Sequence, residues 1–498
     1  MNGAGSSSGS SRELGVIAVL AAVAVVRLWL MPLGNSFWLD ETTIAWIVKN
    51  GFTNIVANTP VSVASIAFCW VEWCFGRVFG LNEVALRLPS VLAGIASLYV
   101  LYRLGAEFID RETGFIFIGF YLSLPHVAFE TPDARPYSLG IWAATVAVLW
   151  LLRWLRSASI KAGLLWVVCS VIACYMHDLF VMPLAIEGAF VVWIALRRTS
   201  IPVRQVFGVE LLGVVMLLPA LPRALALAQQ AGQLGFLEVP KLADLLPLIL
   251  PVYMLAPAVL IALLMAIEGQ VLHWTGVKPN AKAAILGALI LFIPAFGLFA
   301  ISRLTSIRLF ADRYLTPAVP GFVLLWGLLL RAIEPRSFRR LSVASGLIVS
   351  VILIGGFSAV PKYRIEDWRS AVRSIPDAGA ALVYSGYVET RRLDWLQQRE
   401  WWFRLMAPIL TYRSSMTPEN AFLMPFEFGS TEQAYVRRLM EGPLRDRDTV
   451  TVIVRRVFWG PAWLPWISED LSGRGFRSVS DVRYGSVEVA VFHRSAAR

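Results

Sequence analysis

Phe37-Trp38-Leu39-Asp40-Glu41 sets two adjacent carboxylates directly after the first long apolar run of a 498-residue chain. A carboxylate held at a membrane surface can take a proton from a hydroxyl, work that typically contributes about 10²–10⁴-fold to a rate. The structural alternative for the same pair is a helix start, with Asp40 as its cap and Glu41 at the positive end of its dipole, worth about 1 kcal/mol. A second polar cluster, Phe129-Glu130-Thr131-Pro132-Asp133-Ala134-Arg135-Pro136-Tyr137, falls between two apolar runs. Pro132 and Pro136 stop one helix and start the next. Asp133 and Arg135 are thereby left at a membrane boundary, either as a cap with its ion pair or on a functional path. A third group is cationic: Arg303, Arg308 and Arg313, the last in Asp312-Arg313-Tyr314-Leu315-Thr316-Pro317. Paired guanidinium groups suit planar, bidentate binding of phosphate, and the alternative is snorkelling to lipid head groups. Arg27, inside the first apolar run, has the same two readings. His177, one of four histidines, closes another run in Tyr175-Met176-His177-Asp178 and is either an interfacial residue or part of a site. A base together with cations fits one reaction: a hydroxyl is activated and a lipid phosphate is expelled.

The elements that must carry these groups are membrane helices. The chain is 57% hydrophobic and only 16% charged, with a mean hydropathy of +0.64, against about a quarter charged in soluble domains. Forty-three of its acidic and basic residues fall in the first 360 positions and 36 in the last 138, so an oily body carries a water-soluble tail. The net charge of +11 comes from 45 Lys and Arg against 34 Asp and Glu. These cations lie between apolar runs and form no basic patch, which argues against nucleic acid and for topology signals. Cys69, Cys74, Cys169 and Cys174 show no CxxC spacing, so neither a disulfide framework nor a zinc site is indicated.

Polar, Gly/Ser-rich residues 1–13 read as a disordered cytoplasmic tail before an uncleaved first span. Further spans are expected near 87–104, 114–129, 136–152, 162–176, 179–196, 206–222, 245–267, 283–302, 314–330 and 341–359. The fold class is then an all-α polytopic membrane bundle of about eleven spans, within a range of roughly 10–13, followed by a small α/β extracytoplasmic domain. Loops holding Arg103 and Arg111, Arg153 to Lys161, Arg197 to Arg204, Lys278 and Lys282, and Arg331 to Arg340 alternate along the chain and are cytoplasmic by the positive-inside rule. The connections 34–86, 130–135, 177–178, 223–244 and 303–313, and everything after 360, therefore face outward. Within 34–86, stretches 41–50 and 61–79 read as helices, the second lying in the interface. The membrane domain is taken as 14–360, including outer loop 34–86. Residues 361–498 form the outer domain, with strands at Ala380–Tyr384, Thr449–Val454 and Ser486–Phe492 and helices at Asp367–Ile375 and Thr431–Met440.

In order, these polar segments resemble the GT-C superfamily of polytopic glycosyltransferases. The similar branch holds the protein O-mannosyltransferases, the aminoarabinose transferases of lipid A and the rhizobial lipopolysaccharide galacturonosyltransferases. The likeness rests on Arg27 ahead of Phe37-Trp38-Leu39-Asp40-Glu41, then Phe79-Gly80-Leu81-Asn82-Glu83-Val84-Ala85-Leu86-Arg87-Leu88-Pro89-Ser90, then Asp133-Ala134-Arg135-Pro136-Tyr137-Ser138-Leu139. His177, Arg313-Tyr314-Leu315-Thr316-Pro317-Ala318 and Glu366-Asp367-Trp368-Arg369 complete the order. It spans residues 14–370, and the tail beyond is only loosely similar. Two departures stand out: Thr59-Pro60-Val61 replaces a paired proline motif, and Asp133 stands where many relatives carry Glu.

The resemblance implies Asp40 as the base that deprotonates the acceptor, supported by Glu41 and Asp133. It implies a donor phosphate and sugar held by Arg27, Arg135, Tyr137, His177, Arg308, Arg313 and Tyr314. The implied partners are a polyprenyl-phosphate sugar, a glycan, lipid or protein acceptor, and membrane lipids, with inverting transfer at the outer face of the cytoplasmic membrane. The N-terminus would be cytoplasmic and the C-terminal domain periplasmic. No cofactor is certain; the superfamily allows a divalent metal bridging Asp40, Asp133 and the phosphate, and the sequence leaves the metal open. A lipid-linked sugar flippase or transporter is the alternative. Against it stand the absence of a repeat of the halves and of charged residues at mid-bilayer in the later spans.

Overall fold

The computed structural model describes residues 5–59, 65–197, 201–229, 238–274 and 280–495. Pro60 and Val61, Arg198, residues 230–237 of one outward connection and Lys278 fall outside them. The chain divides into two compact units. The first takes Met1–Leu33, Ala64–Val71 and Arg87–Pro361, and the second takes Gly34–Val63, Glu72–Leu86 and Lys362–Arg498.

The first unit is a helical bundle. Among the described residues, eight helices are long and apolar enough to cross a membrane: Arg12–Gly34, Glu83–Phe108, Tyr137–Ser157, Asp178–Leu196, Val203–Gln229, Ala281–Leu304, Asp312–Arg331 and Arg336–Gly355. A pair bent by 73°, Leu242–Ile249 and Val252–Ile267, raises the number to nine if it crosses as one span. The other two of the eleven expected stretches are helical but short. One ends at Leu122, because Pro125 starts the separate helix Pro125–Glu130; the other is the 17-residue helix Ile160–Met176. The first helix already begins at Gly5. The polar segment expected to be a disordered tail is therefore largely a continuation of the apolar helix, which contains no proline to stop it.

Three acids meet basic connections of the bundle. Glu107 receives Arg153 and Arg156, both at 2.6 Å. Asp110 caps helix Arg111–Leu122 through the Thr113 N–H at 2.8 Å and pairs with Arg331 at 2.6 Å. Glu112 holds Arg339 at 3.0 Å and Arg340 at 3.2 Å. Two carboxyl groups also lie inside spans, where none was expected at mid-bilayer. Glu187 accepts from Trp166 Nε1 at 2.6 Å, and Glu210 sits on the neighbouring helix against Gly188.

The second unit is built on a five-stranded mixed sheet: β1 Ala380–Tyr384, β2 Ala421–Leu423, β3 Thr449–Arg455, β4 Phe476–Tyr484 and β5 Val487–Arg494, in the order β2-β1-β3-β5-β4. β1 is parallel to both neighbours, with Leu382 opposite Phe422 and Val452, and every residue in it is buried. That is the pattern of a strand covered on both faces. β5 runs antiparallel to β3 and β4, and Gly485, at φ +65°, makes the tight turn from β4 to β5.

The segment 34–86, expected with the membrane helices, belongs largely to this unit. Glu366 is the reason: its Oε2 accepts from the Leu39 N–H at 2.9 Å and from Trp368 Nε1 at 2.8 Å, while Oε1 meets Arg455 at 2.7 Å. Arg369 reaches Glu83 at 3.1 Å and the Gly34 carbonyl at 3.0 Å. Tyr412 donates to Glu83 and accepts from the Phe37 N–H, both at 3.0 Å. Arg455→Ala would leave the buried Glu366 carboxylate without its cation, a loss of about 3–5 kcal/mol. Thermal unfolding in nanodiscs should show a markedly lower midpoint for this variant.

Candidate functional site

The candidate carboxylates lie in the first turn of helix Leu39–Lys49, in the second unit. Trp38 is its N-cap, and Glu41 Oε2 accepts the Trp38 N–H at 3.2 Å. Glu41 is fully buried and Asp40 partly exposed. The expectation that Asp40 caps this helix is thus corrected: Glu41 closes the turn, because its side chain at the third helical position can reach back to the cap. Asp40 lies beside it in the first turn, at the positive end of the helix dipole. Tyr387 supports the same turn, donating to the Leu39 carbonyl at 3.1 Å and meeting Thr43 Oγ1 at 2.6 Å. Burial pushes its phenol up, and the nearby Asp40 charge adds to that.

A separate cluster of cations and aromatic rings lies in the first unit. Helices Tyr137–Ser157 and Ile160–Met176 form a hairpin that turns at Ala158, with φ +54°. Tyr137 and His177 therefore come to the same end, opposite the ion-paired basic connections. Their rings lie 5.0 Å apart, and Tyr314 stands 6.2 Å on the other side of His177. The Arg135 guanidinium is 5.7 Å from the Tyr137 ring, and that of Arg313 is 5.3 Å from the Tyr314 ring. The loop before Tyr137 is pinned to helix Glu83–Phe108: Ser90 Oγ donates to the Arg135 carbonyl at 3.0 Å, and Ser138 Oγ to the Ser90 carbonyl at 2.7 Å. Asp133 is buried, and its carbonyl accepts the Arg135 N–H at 2.8 Å. It does not cap the next helix, whose N-cap is Pro136.

Five of the seven residues expected at a donor phosphate come together here: Arg135, Tyr137, His177, Arg313 and Tyr314. Arg27 and Arg308 are placed elsewhere. Arg27 donates to the carbonyls of Gly355, Gly356, Ser358 and Ala359 at 2.6–3.3 Å, collaring the end of helix Arg336–Gly355. Arg308 holds the carbonyls of Ser302 and Thr305 at the end of helix Ala281–Leu304. Both act as terminal cations on orphan carbonyls, where a helix end attracts positive charge. Arg223 is the residue that the sequence reading missed. Its charge bears on His177 together with those of Arg135 and Arg313, and an arginine in the outward connection 223–244 was the available signal. Among the described residues, no three His, Cys, Asp or Glu side chains gather as a ligand set.

His177 is held neutral by burial and by those three guanidinium groups, which push its imidazole down to about 3. Nδ1 accepts the Leu179 N–H at 3.3 Å, which leaves Nε2 as the proton-bearing nitrogen and a fixed donor. An unfolded histidine binds its proton near pH 6.5. The unfolded chain thus holds the extra proton between about 6.5 and 3, and stability falls as pH falls through that window. Nitrogen-15 spectra of labelled protein should show the Nε2–H tautomer at pH 5–8. His177→Gln should lose less stability than wild type on acidification to pH 5.

No model of a known protein family matches the chain, and no curated protein matches its sequence. Among solved structures, it resembles ArnT from Cupriavidus metallidurans in the apo state, with a TM-score of 0.56, 14% identity and coverage of 96% of this chain and 98% of that one. ArnT from the same organism bound to undecaprenyl phosphate gives a TM-score of 0.55 at 14% identity, again over 96% and 98%. The archaeal oligosaccharyltransferase AglB from Archaeoglobus fulgidus, with an inhibitory peptide and a dolichol-phosphate, is matched at 0.47 and 11% identity, over 98% of this chain and 75% of that one. With at least eight helices long and apolar enough to cross a membrane among its described residues, and this likeness over nearly the whole of both chains, the chain has the fold of ArnT, that of the GT-C superfamily of glycosyltransferases.

Proposed function

We propose that the chain is a membrane glycosyltransferase that moves a sugar from a polyprenyl-phosphate donor to an acceptor at the outer face of the cytoplasmic membrane. The observation that carries this reading is the cluster of Arg135 and Arg313 with Tyr137, His177 and Tyr314 at one end of a bundle of apolar helices. Such a cluster matches a phosphate head group on a lipid tail. The likeness in fold to ArnT bound to undecaprenyl phosphate supports the same donor class. The positive-inside pattern supports the orientation, with the ion-paired basic end cytoplasmic, the cluster outward and the C-terminal domain periplasmic.

In this reading Asp40 accepts the proton of an acceptor hydroxyl on a glycan, lipid or protein. The oxygen attacks the anomeric carbon as the bond from that carbon to the lipid phosphate oxygen breaks, and the configuration inverts. Arg313 and Arg135 stabilise the departing phosphate, the His177 Nε2–H donates to it, and Tyr137 and Tyr314 wall the site. Glu41 and Asp133 act by holding the segments that carry Asp40 and Arg135. Labelled-sugar transfer by purified protein in lipid, across a panel of polyprenyl-phosphate sugars, tests this. Asp40→Asn should lose about 10²–10⁴-fold in kcat. Arg313→Ala should lose about 10–100-fold in kcat/KM, the worth of a hydrogen bond to a charged group. Undiminished transfer by Asp40→Asn would remove the proposed base.

A second reading, a transporter of lipid-linked sugar, draws on Glu187 and Glu210, since ionisable groups inside spans mark transport paths. Substrate flux in vesicles without any new glycoconjugate would favour it.

A further inference from the structure

The parallel strands β2, β1 and β3 of the second unit end at Leu423, Tyr384 and Arg455. Phe426 follows β2, Gly386 and Tyr387 follow β1, and Phe458 and Trp459 follow β3. The chain leaves β1 toward β2 and leaves β3 toward β4 at the opposite edge, so the outgoing loops part between β1 and β3. In sheets with parallel strands, the crevice outside the carboxyl ends where connections part in this way is where ligands sit. Gly386, at φ +78°, keeps that crevice narrow: a Cβ on it would lie 3.2 Å from Val457 Cγ2 and 3.8 Å from Phe458 Cδ2. Phe458 itself holds φ at +50°, a left-handed conformation that is costly for a bulky side chain. Its ring lies 5.1 Å from that of Phe426, yet Phe458 is 50% exposed, and so is Trp459 beside it. Core packing does not account for a strained backbone that presents its ring to solvent, and such strain collects where a ligand is held. Arg391 lies 4.9 Å from the Phe426 ring and pairs with Glu427 at 3.0 Å, so a donor and an acceptor stand at the rim. Rings bordered by an exposed ion pair suit a saccharide, whose C–H face stacks on them while its hydroxyls both donate and accept. The carboxylate of that pair disfavours an anionic lipid surface. Tyr387, next to Gly386, donates to the carbonyl of Leu39, the residue before Asp40, at 3.1 Å.

We propose that Phe458 and Trp459 form a binding subsite for a saccharide, the sugar-bearing end of the acceptor, with Arg391 and Glu427 meeting its hydroxyls. The loop of Gly386 and Tyr387 connects this subsite to the turn that carries Asp40. The role as acceptor subsite rests on the glycosyltransferase reading and narrows its acceptor to one that presents a sugar ring; the binding of a saccharide does not depend on that reading.

The test uses the full chain in lipid nanodiscs and compares wild type with Phe458→Gly, which adopts a positive φ without strain, and with Trp459→Ala. Saturation-transfer difference spectra against a panel of soluble di- and trisaccharides should find at least one whose C–H signals are strong with wild type and several-fold weaker with both variants. The thermal midpoint of Phe458→Gly should equal or exceed that of wild type, which separates lost binding from lost folding. With a saccharide that serves as acceptor in the transfer assay, its KM should rise about tenfold in both variants, while the donor KM stays unchanged. Saccharide signals equal in all three proteins, or absent with every member of the panel, would overturn the proposal. So would quenching by brominated lipids that falls in Trp459→Ala, since these rings would then face the membrane. Transfer with an unchanged acceptor KM in both variants would overturn the acceptor subsite and leave the enzyme reading intact. Saccharide binding that depends on Phe458, without transfer by any of the proteins, would instead overturn the glycosyltransferase reading and leave the saccharide site standing.

Discussion

The first N–H groups of a helix need acceptors, and at helix Leu39–Lys49 that need is met by two glutamates far apart in the chain. Glu366 satisfies Leu39 from a distant part of the chain, and Glu41 satisfies Trp38 from within the turn. The same Glu366 ties the indole of Trp368 and the guanidinium of Arg455 to that turn. Removing any one of these partners loosens the turn that carries Asp40 and Glu41.

The bundle follows a different logic, in which charge is separated along the helices. Acids and bases are matched at the end that holds Glu107, Asp110 and Glu112. At the opposite end of the Tyr137–Met176 hairpin, three guanidinium groups act on a single neutral histidine. Matched charge makes a stable anchor in low dielectric surroundings. A concentration of like charge, by contrast, draws anions toward it.

What the sequence made legible was set by how local each signal is. Strands β1, β3 and β5 are runs of β-branched and apolar residues, and they read directly. β2 has three residues, and β4 is exposed almost throughout, so neither carries an apolar pattern. The site segments around Asp40, Arg135, His177 and Arg313 stood out because polar residues at the ends of apolar runs are conspicuous. Arg27 and Arg308 stood out for the same reason, but the carbonyls they bind belong to helix ends that no spacing rule connects to them. The membership of segment 34–86 was equally hidden, since it rests on Glu366, Arg369 and Tyr412, more than 280 residues away along the chain.

The collar that Arg27 makes has a consequence in time. Its carbonyl partners lie up to 332 residues later, and at about 5–20 residues per second a ribosome takes roughly 17–66 s to produce them. Throughout that interval the first span sits in the membrane with its guanidinium unmatched, held by water, lipid phosphate or the insertion machinery. Helix Arg12–Gly34 is therefore made long before the carbonyls that hold its arginine, and the collar closes only once helix Arg336–Gly355 has followed it.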